Sequence, residues 1–147
     1  MDARKLPEIR VVAGALFDDQ GRVLIAQRPP GSHLAGRWEF PGGKIDAGES
    51  ELQALSRELT EELGVKLISA ERMLGLTHDY AERRIVLSMW HVTAYEGTPR
   101  SLDGQALKWV KPAGLVDEDL LEADRPIVAA LVARDATVPA DSRRRLS

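Results

Sequence analysis

Residues 43–65 constrain this chain more than any other stretch. They read Gly43-Lys44-Ile45-Asp46-Ala47-Gly48-Glu49, seven further residues, then Arg57-Glu58-Leu59-Thr60-Glu61-Glu62-Leu63-Gly64-Val65. A short glycine-punctuated loop must feed a helix whose two ends are both written in the sequence. Ser50 is placed to cap it, with Gln53 completing a capping box, and Gly64 is placed to end it. The spacing predicts a helix over 50–63 with Leu52, Leu55, Leu59 and Leu63 on one core-facing sector. Glu58, Glu61 and Glu62 stand at i, i+3 and i+4 and share an adjacent sector, with Glu49 and Glu51 toward the helix start. Docking of the leucines therefore decides which way the carboxylates face.

Holding three carboxylates together is unfavourable. At ~5 Å each pair repels by ~1 to ~3 kcal/mol, for an effective dielectric between ~80 and ~20. That outweighs the few tenths of a kcal/mol an ordinary helix-surface ion pair contributes. A hard divalent cation reverses the sign, since magnesium takes carboxylate oxygen, carbonyl oxygen and water and commonly bridges to phosphates. The alternative is a solvated acidic helix face. Against it, Gly43, Glu49, Arg57 and Gly64 stand around the acids, residues that mere solvation does not require. Arg57 is expected to point off the cluster and to tether Glu49 or another carboxylate.

The rest of the chain bounds the setting. A length of 147 residues suits one domain with a real core. No apolar run approaches the ~20 residues of a membrane span, and no signal-like stretch opens the chain, so a cytoplasmic protein without membrane partners is expected. The absence of cysteine excludes disulfides and zinc–thiolate chemistry. A net charge of −3 argues against a nucleic-acid polymer as partner. Strands are expected over 9–17 and 22–27, paired as a hairpin across Asp18–Gly21. A short strand follows at Trp38-Glu39-Phe40, stopped by Pro41-Gly42-Gly43. Further strands fit 66–77 and 83–95 around a polar loop from His78 to Glu82, and 106–110. Pro112–Leu115 reads as a brief turn, and a last helix fits 125–133 with Pro126 in its first turn. Strands mixed with two main helices predict an α/β fold, a mixed sheet covered by helices. Residues 1–134 form the expected domain, and 135–147, ending Arg143-Arg144-Arg145-Leu146-Ser147, a disordered tail.

Residues 43–65 carry every fixed position of the Nudix box, and the chain resembles the Nudix hydrolases from about Val11 to Leu131. Within them the lead-in Trp38-Glu39-Phe40-Pro41-Gly42-Gly43-Lys44 resembles the MutT-like nucleoside triphosphate pyrophosphohydrolases, as does Ala123-Asp124-Arg125-Pro126 before the last helix. The resemblance implies a Nudix α/β/α sandwich, a monomer or weak dimer. It implies magnesium, with manganese as the other candidate ion, held by Glu58, Glu61, Glu62 and the Gly42 carbonyl. Glu58 or a nearby carboxylate such as Glu61 would activate water, with Arg57 orienting the acids. Lys44 and Arg28 would hold phosphates, with His33 near them. Arg83 would lie near the base, with Glu39 and Phe40 in the lead-in that borders it. Asp103 matches a position where relatives often carry glutamate near the metals. The implied role is cleansing the nucleotide pool of oxidised bases.

One departure bears on substrate. Where the enzymes for oxidised guanine nucleotides carry asparagine, this chain has Asp124. Asparagine offers a donor and an acceptor, matching N1–H and O6 of a guanine-type base, whereas an ionised aspartate only accepts. A protonated Asp124 fits oxidised guanine, and either state fits the amino group of cytosine, as in relatives with Ala-Asp here that hydrolyse cytidine or oxidised pyrimidine nucleotides. Asp124 is equally placed as a helix N-cap. Oxidised dGTP leads, with CTP or oxidised pyrimidine triphosphates second. A dinucleotide or nucleotide-sugar hydrolase and a non-catalytic nucleotide-binding module remain as rivals. His33, His78 and His91 lack metal-binding spacing and read as structural. Trp38, Phe40 and Trp90 read as core or pocket wall.

Overall fold

Alternation along the first strand decides the architecture. In the computed structural model, which describes residues 6–137, β1 runs Glu8–Ala15. Ala13 and Ala15 point into one apolar core, and Val12 into another on the opposite face, joined there by Leu16 just beyond the strand. Successive side chains of a strand leave on opposite faces, so a strand apolar on both needs a cover on each. The helix α1 (Glu51–Leu63) covers the Val12 face through Ala54, Leu55, Leu59 and Leu63. The helix α2 (Arg125–Thr137) covers the other through Ile127, Val128 and Leu131. The expected layering of helix, strands and helix is therefore present.

The remaining strands are β2 (Val23–Gln27), β3 (Trp38–Glu39), β4 (Gly42–Lys44), β5 (Lys66–Asp79), β6 (Arg84–Glu96) and β7 (Leu107–Val110). They form two sheets, ordered β4-β1-β6-β5 and β3-β2-β7. The first is mixed, because β1 pairs β6 in parallel while β4 and β5 run antiparallel to their neighbours. Short 3₁₀ turns at Pro112–Asp117 and Glu122–Asp124 lead into α2. Among the described residues no helix is long and apolar enough to cross a membrane.

Several expectations are corrected. The turn at Asp18–Gly21 forms, with the Asp18 N–H donating to the Arg22 carbonyl at 3.0 Å. Its two strands nevertheless part after the single bridge Phe17–Val23, because β4 and β6 occupy both edges of β1. The short strand does end before Pro41, as expected, but Gly42 to Lys44 then form a strand of the other sheet, paired with β1. The strand β5 continues through His78 and Asp79, leaving a tight turn closed by the Tyr80 N–H to the Arg83 carbonyl at 2.8 Å. The last helix runs past Ala133 to Thr137, so residues 135–137 are helical. Pro139 is the first breaker the sequence offers. The rest of the expected tail lies outside the described residues.

The helix α1 is closed as its sequence predicts. The Ser50 hydroxyl accepts the Gln53 N–H at 3.1 Å, and Gln53 Oε1 accepts the Ser50 N–H at 2.8 Å. Gly64 terminates it with φ 69° and ψ 25°, a left-handed conformation that favours glycine. Leu55, Leu59 and Leu63 are fully buried, but Leu52 is 40% exposed. Leu52 lies in the first turn, over an open groove beside Leu67 and Ile68. Glu51 takes the sheet-facing place there, accepting hydrogen bonds from Ser88 and Trp90 of β6.

Candidate active site

The strand β4 brings backbone directly against the acids of α1. A Cβ built on Gly43 would lie 2.5 Å from the Glu58 Cδ, and one on Gly42 would lie 2.0 Å from the Val12 carbonyl oxygen. Both positions therefore require glycine, the first so that a carboxylate can sit on the main chain and the second so that β4 can pair with β1.

Arg57 organises the cluster. Its guanidinium donates to both Glu49 oxygens at 2.7 and 2.9 Å, to Glu58 Oε1 at 2.8 Å, and to the Lys44 carbonyl at 3.0 Å. The tether to Glu49 is as expected. Arg57 does not point off the cluster, however, because it also holds Glu58 and reaches Glu61 Oε2 at 3.4 Å. A planar fork of donors suits such multiple engagement. The Arg57 hydrogen bonds, and then the backbone at Asp46, hold the Glu49 carboxyl down at about 2.

Glu62 has the opposite environment. Burial, followed by the neighbouring Glu58, Glu39 and Asp103, pushes its carboxyl up, and it shares a hydrogen bond with Glu58. Its Oε1 is buried without a hydrogen-bond partner. Asp103 comes close because its loop docks on the end of α1, the Arg100 and Leu102 N–H groups donating to the Leu63 and Glu62 carbonyls at 3.1 and 3.0 Å. Glu61 is turned outward, its side chain 59% exposed. Among the described residues, no three acidic or histidine side chains surround one point closely enough to enclose an ion. Glu58 and Glu62 converge, Asp103 lies beside them, and Glu61 is drawn off by Arg57. The donor set nonetheless suits a hard cation: like-charged carboxylates facing one another, one with an unpartnered buried oxygen, beside a glycine backbone.

From Gly42 and Gly43 a cleft of about 180 Å³ runs to a second buried acid, Asp124. Asp124 is 5% exposed. Burial, then the nearby Glu39, raises its carboxyl to about 8 against the pull of the Phe40 N–H and Arg28, which favours the protonated form. Its Oδ2 has no partner.

Arg28, His33, Glu39, Phe40, Lys44, Arg83 and Asp124 all line this cleft, so the sequence-predicted substrate residues converge. Arg28 is not simply presented to solvent. It donates to the His33 carbonyl at 2.5 Å and to Glu39 at 3.1 Å. Glu39 is pushed up by burial and pulled back by Arg28. Phe40 is 3% exposed and part of the core, and it also lines the cleft. His91 is structural, as expected, packing edge-on to Phe17 at 5.4 Å.

Sequence reasoning missed two residues here. Leu34 lines the cleft with φ 57°, a conformation rare for a non-glycine residue. Tyr80 lines it too, from the turn between β5 and β6. An aromatic residue inside a polar turn was the available signal for Tyr80.

The glycine–carboxylate cluster at one end of the cleft and the buried acid at the other coincide with a family assignment. The NUDIX domain profile matches residues 12–130, and the chain belongs to that family. It is 42% identical over 133 residues to the CTP pyrophosphohydrolase of Escherichia coli K12, across 90% of this chain and 98% of that protein. It is 32% identical over 126 residues to the 8-oxo-dGTP diphosphatase of the same organism, across 86% and 98%. The solved E. coli ORF135 protein superposes with a TM-score of 0.79 at 41% identity, across 92% of this chain and 96% of that one.

Proposed function

We propose that this Nudix enzyme hydrolyses nucleoside triphosphates to the monophosphate and pyrophosphate, with oxidised dGTP as leading substrate and CTP or oxidised pyrimidine triphosphates second. The observation that carries the reading is one cleft joining two acidic sites: Glu58 and Glu62 by Gly43, and the buried Asp124. The two named relatives support the same pair of substrate classes.

Glu58, Glu62, Asp103 and the Gly42 carbonyl would hold magnesium or manganese, with Glu61 joining them once it swings inward from Arg57. When bound, such an ion neutralises phosphate oxygens and acidifies a coordinated water. Glu58, or a neighbouring carboxylate, takes the proton of the attacking water. Arg57 fixes the direction in which Glu58 points. Lys44 and Arg28 meet the phosphates, and Asp124 reads the base edge. A binding module without catalysis would not need its full set of acids.

The test is a rate panel over normal and oxidised nucleoside triphosphates with magnesium, identifying the released group. Pyrophosphate is expected, and saturating chelator should lower the rate by at least ~10²-fold. Release of orthophosphate alone, or full activity with chelator, would overturn the reading.

Asp124→Asn tests base selection. Asparagine carries a fixed donor and acceptor, whereas Asp124 has a donor only while protonated. The kcat/KM ratio of oxidised dGTP to CTP should rise about tenfold above about pH 8, where Asp124 has lost its proton. The wild-type ratio should also fall above about pH 8, where Asp124 loses its proton, and the variant's should not. Unchanged ratios in both measurements would remove Asp124 from base reading.

A further inference from the structure

We propose that Tyr80 is a positioning residue for base selection, its phenolic oxygen anchoring the turn that aims Asp124 into the cleft. The inference rests on the reading that Asp124 meets the base. The 3₁₀ turn Glu122–Asp124 has no cap of its own, because Leu121 before it makes no side-chain hydrogen bond. The first N–H groups of any helical turn lack partners within it. Ala123 is 5% exposed, so its amide has little access to water. Tyr80 supplies what is missing from 43 positions away in the chain, accepting the Ala123 N–H at 3.1 Å.

The anchor is itself held. The rings of His33 and His78 meet Tyr80 edge-on, with centroids 5.9 and 4.6 Å away. His78 Nε2 also lies 3.5 Å from Glu122 Oε2, in the same 3₁₀ turn. Three segments distant in sequence therefore meet at this one ring: the loop after β2, the β5–β6 turn, and the segment before α2. The Asp124 carboxyl takes a hydrogen bond from the Phe40 N–H, while its Oδ2 has none. Which way Oδ2 faces thus depends on the pitch of a turn that Tyr80 holds one residue earlier. The hydrogen bonds of Tyr80 run to Ala123 and Arg83, not to Glu58, Glu62 or Arg57. Its influence should fall on discrimination between bases rather than on the hydrolytic step.

Tyr80→Phe removes the oxygen and keeps the ring. The kcat/KM ratio of oxidised dGTP to CTP should move about fivefold, mostly through KM, whereas a merely structural role would lower both substrates alike. In an Asp124→Ala background the same substitution should leave the ratio unmoved, since a residue acting through another has no effect once that residue is gone. An unmoved ratio in the wild-type background, or an equal shift in both backgrounds, would overturn the proposal. If Asp124→Asn shifts the ratio and Tyr80→Phe does not, base reading by Asp124 stands and the anchor falls. If neither shifts it, both fall. Thermal melting of each variant separates these outcomes from lost folding.

Discussion

Glu58→Gln should fold as the parent does and turn over its triphosphate at least ~10²-fold more slowly. The Glu58 side chain is 16% exposed and fixed from two sides, by Arg57 at 2.8 Å and by the Gly43 backbone. Glutamine has nearly the same shape, so it fills the same space and its amide oxygen can still accept from Arg57. What disappears is the negative charge and the basicity. Stability should respond weakly, because the amide oxygen still accepts from Arg57 and removing the Glu58 charge takes away one of the causes that push the Glu62 carboxyl up. Activity therefore falls while stability holds, which separates this effect from damage to the fold. Thermal melting beside steady-state rates reads both. A near-parental rate would take Glu58 out of the mechanism.

The layout of the site was legible in the sequence where local physics dominates. The capping box at Ser50–Gln53, the stop at Gly64 and the shared sector of Glu58 and Glu62 follow from helix geometry alone. So did the buried leucines, apart from Leu52, beside which Glu51 takes the place facing the sheet. The tertiary partners were not legible. Arg57 reaches Glu58, Glu61 and the Lys44 carbonyl as well as Glu49, because the loop before α1 folds back over it. The division of the strands into two sheets follows from β4 and β6 together claiming β1, pairings between residues far apart in the chain. The Tyr80–Ala123 contact is of the same long-range kind. A protonated Asp124 was visible as a chemical option, but only its burial beside Glu39 raises the carboxyl to about 8.

Gly43→Ala should cost turnover at least ~10²-fold for a single methyl group, while lowering stability by about 1–3 kcal/mol. The added Cβ would lie 2.5 Å from Cδ, 2.6 Å from Oε1 and 2.7 Å from Oε2 of Glu58, all well inside contact distance. The strand cannot retreat, because Gly43 is paired opposite Val12 on β1. The carboxylate must therefore swing away, and with it goes its geometry to Arg57 and Glu62. Gly48, in the loop just before α1, provides the contrast. Its added Cβ meets nothing within 4 Å, but its φ of +84° disfavours any side chain. Gly48→Ala should thus lower stability by about 1 kcal/mol with turnover close to parental. Urea denaturation and kcat measured on both variants give the comparison. If Gly43→Ala keeps its rate while losing stability as Gly48→Ala does, the seat of Glu58 against the β4 backbone has no part in catalysis.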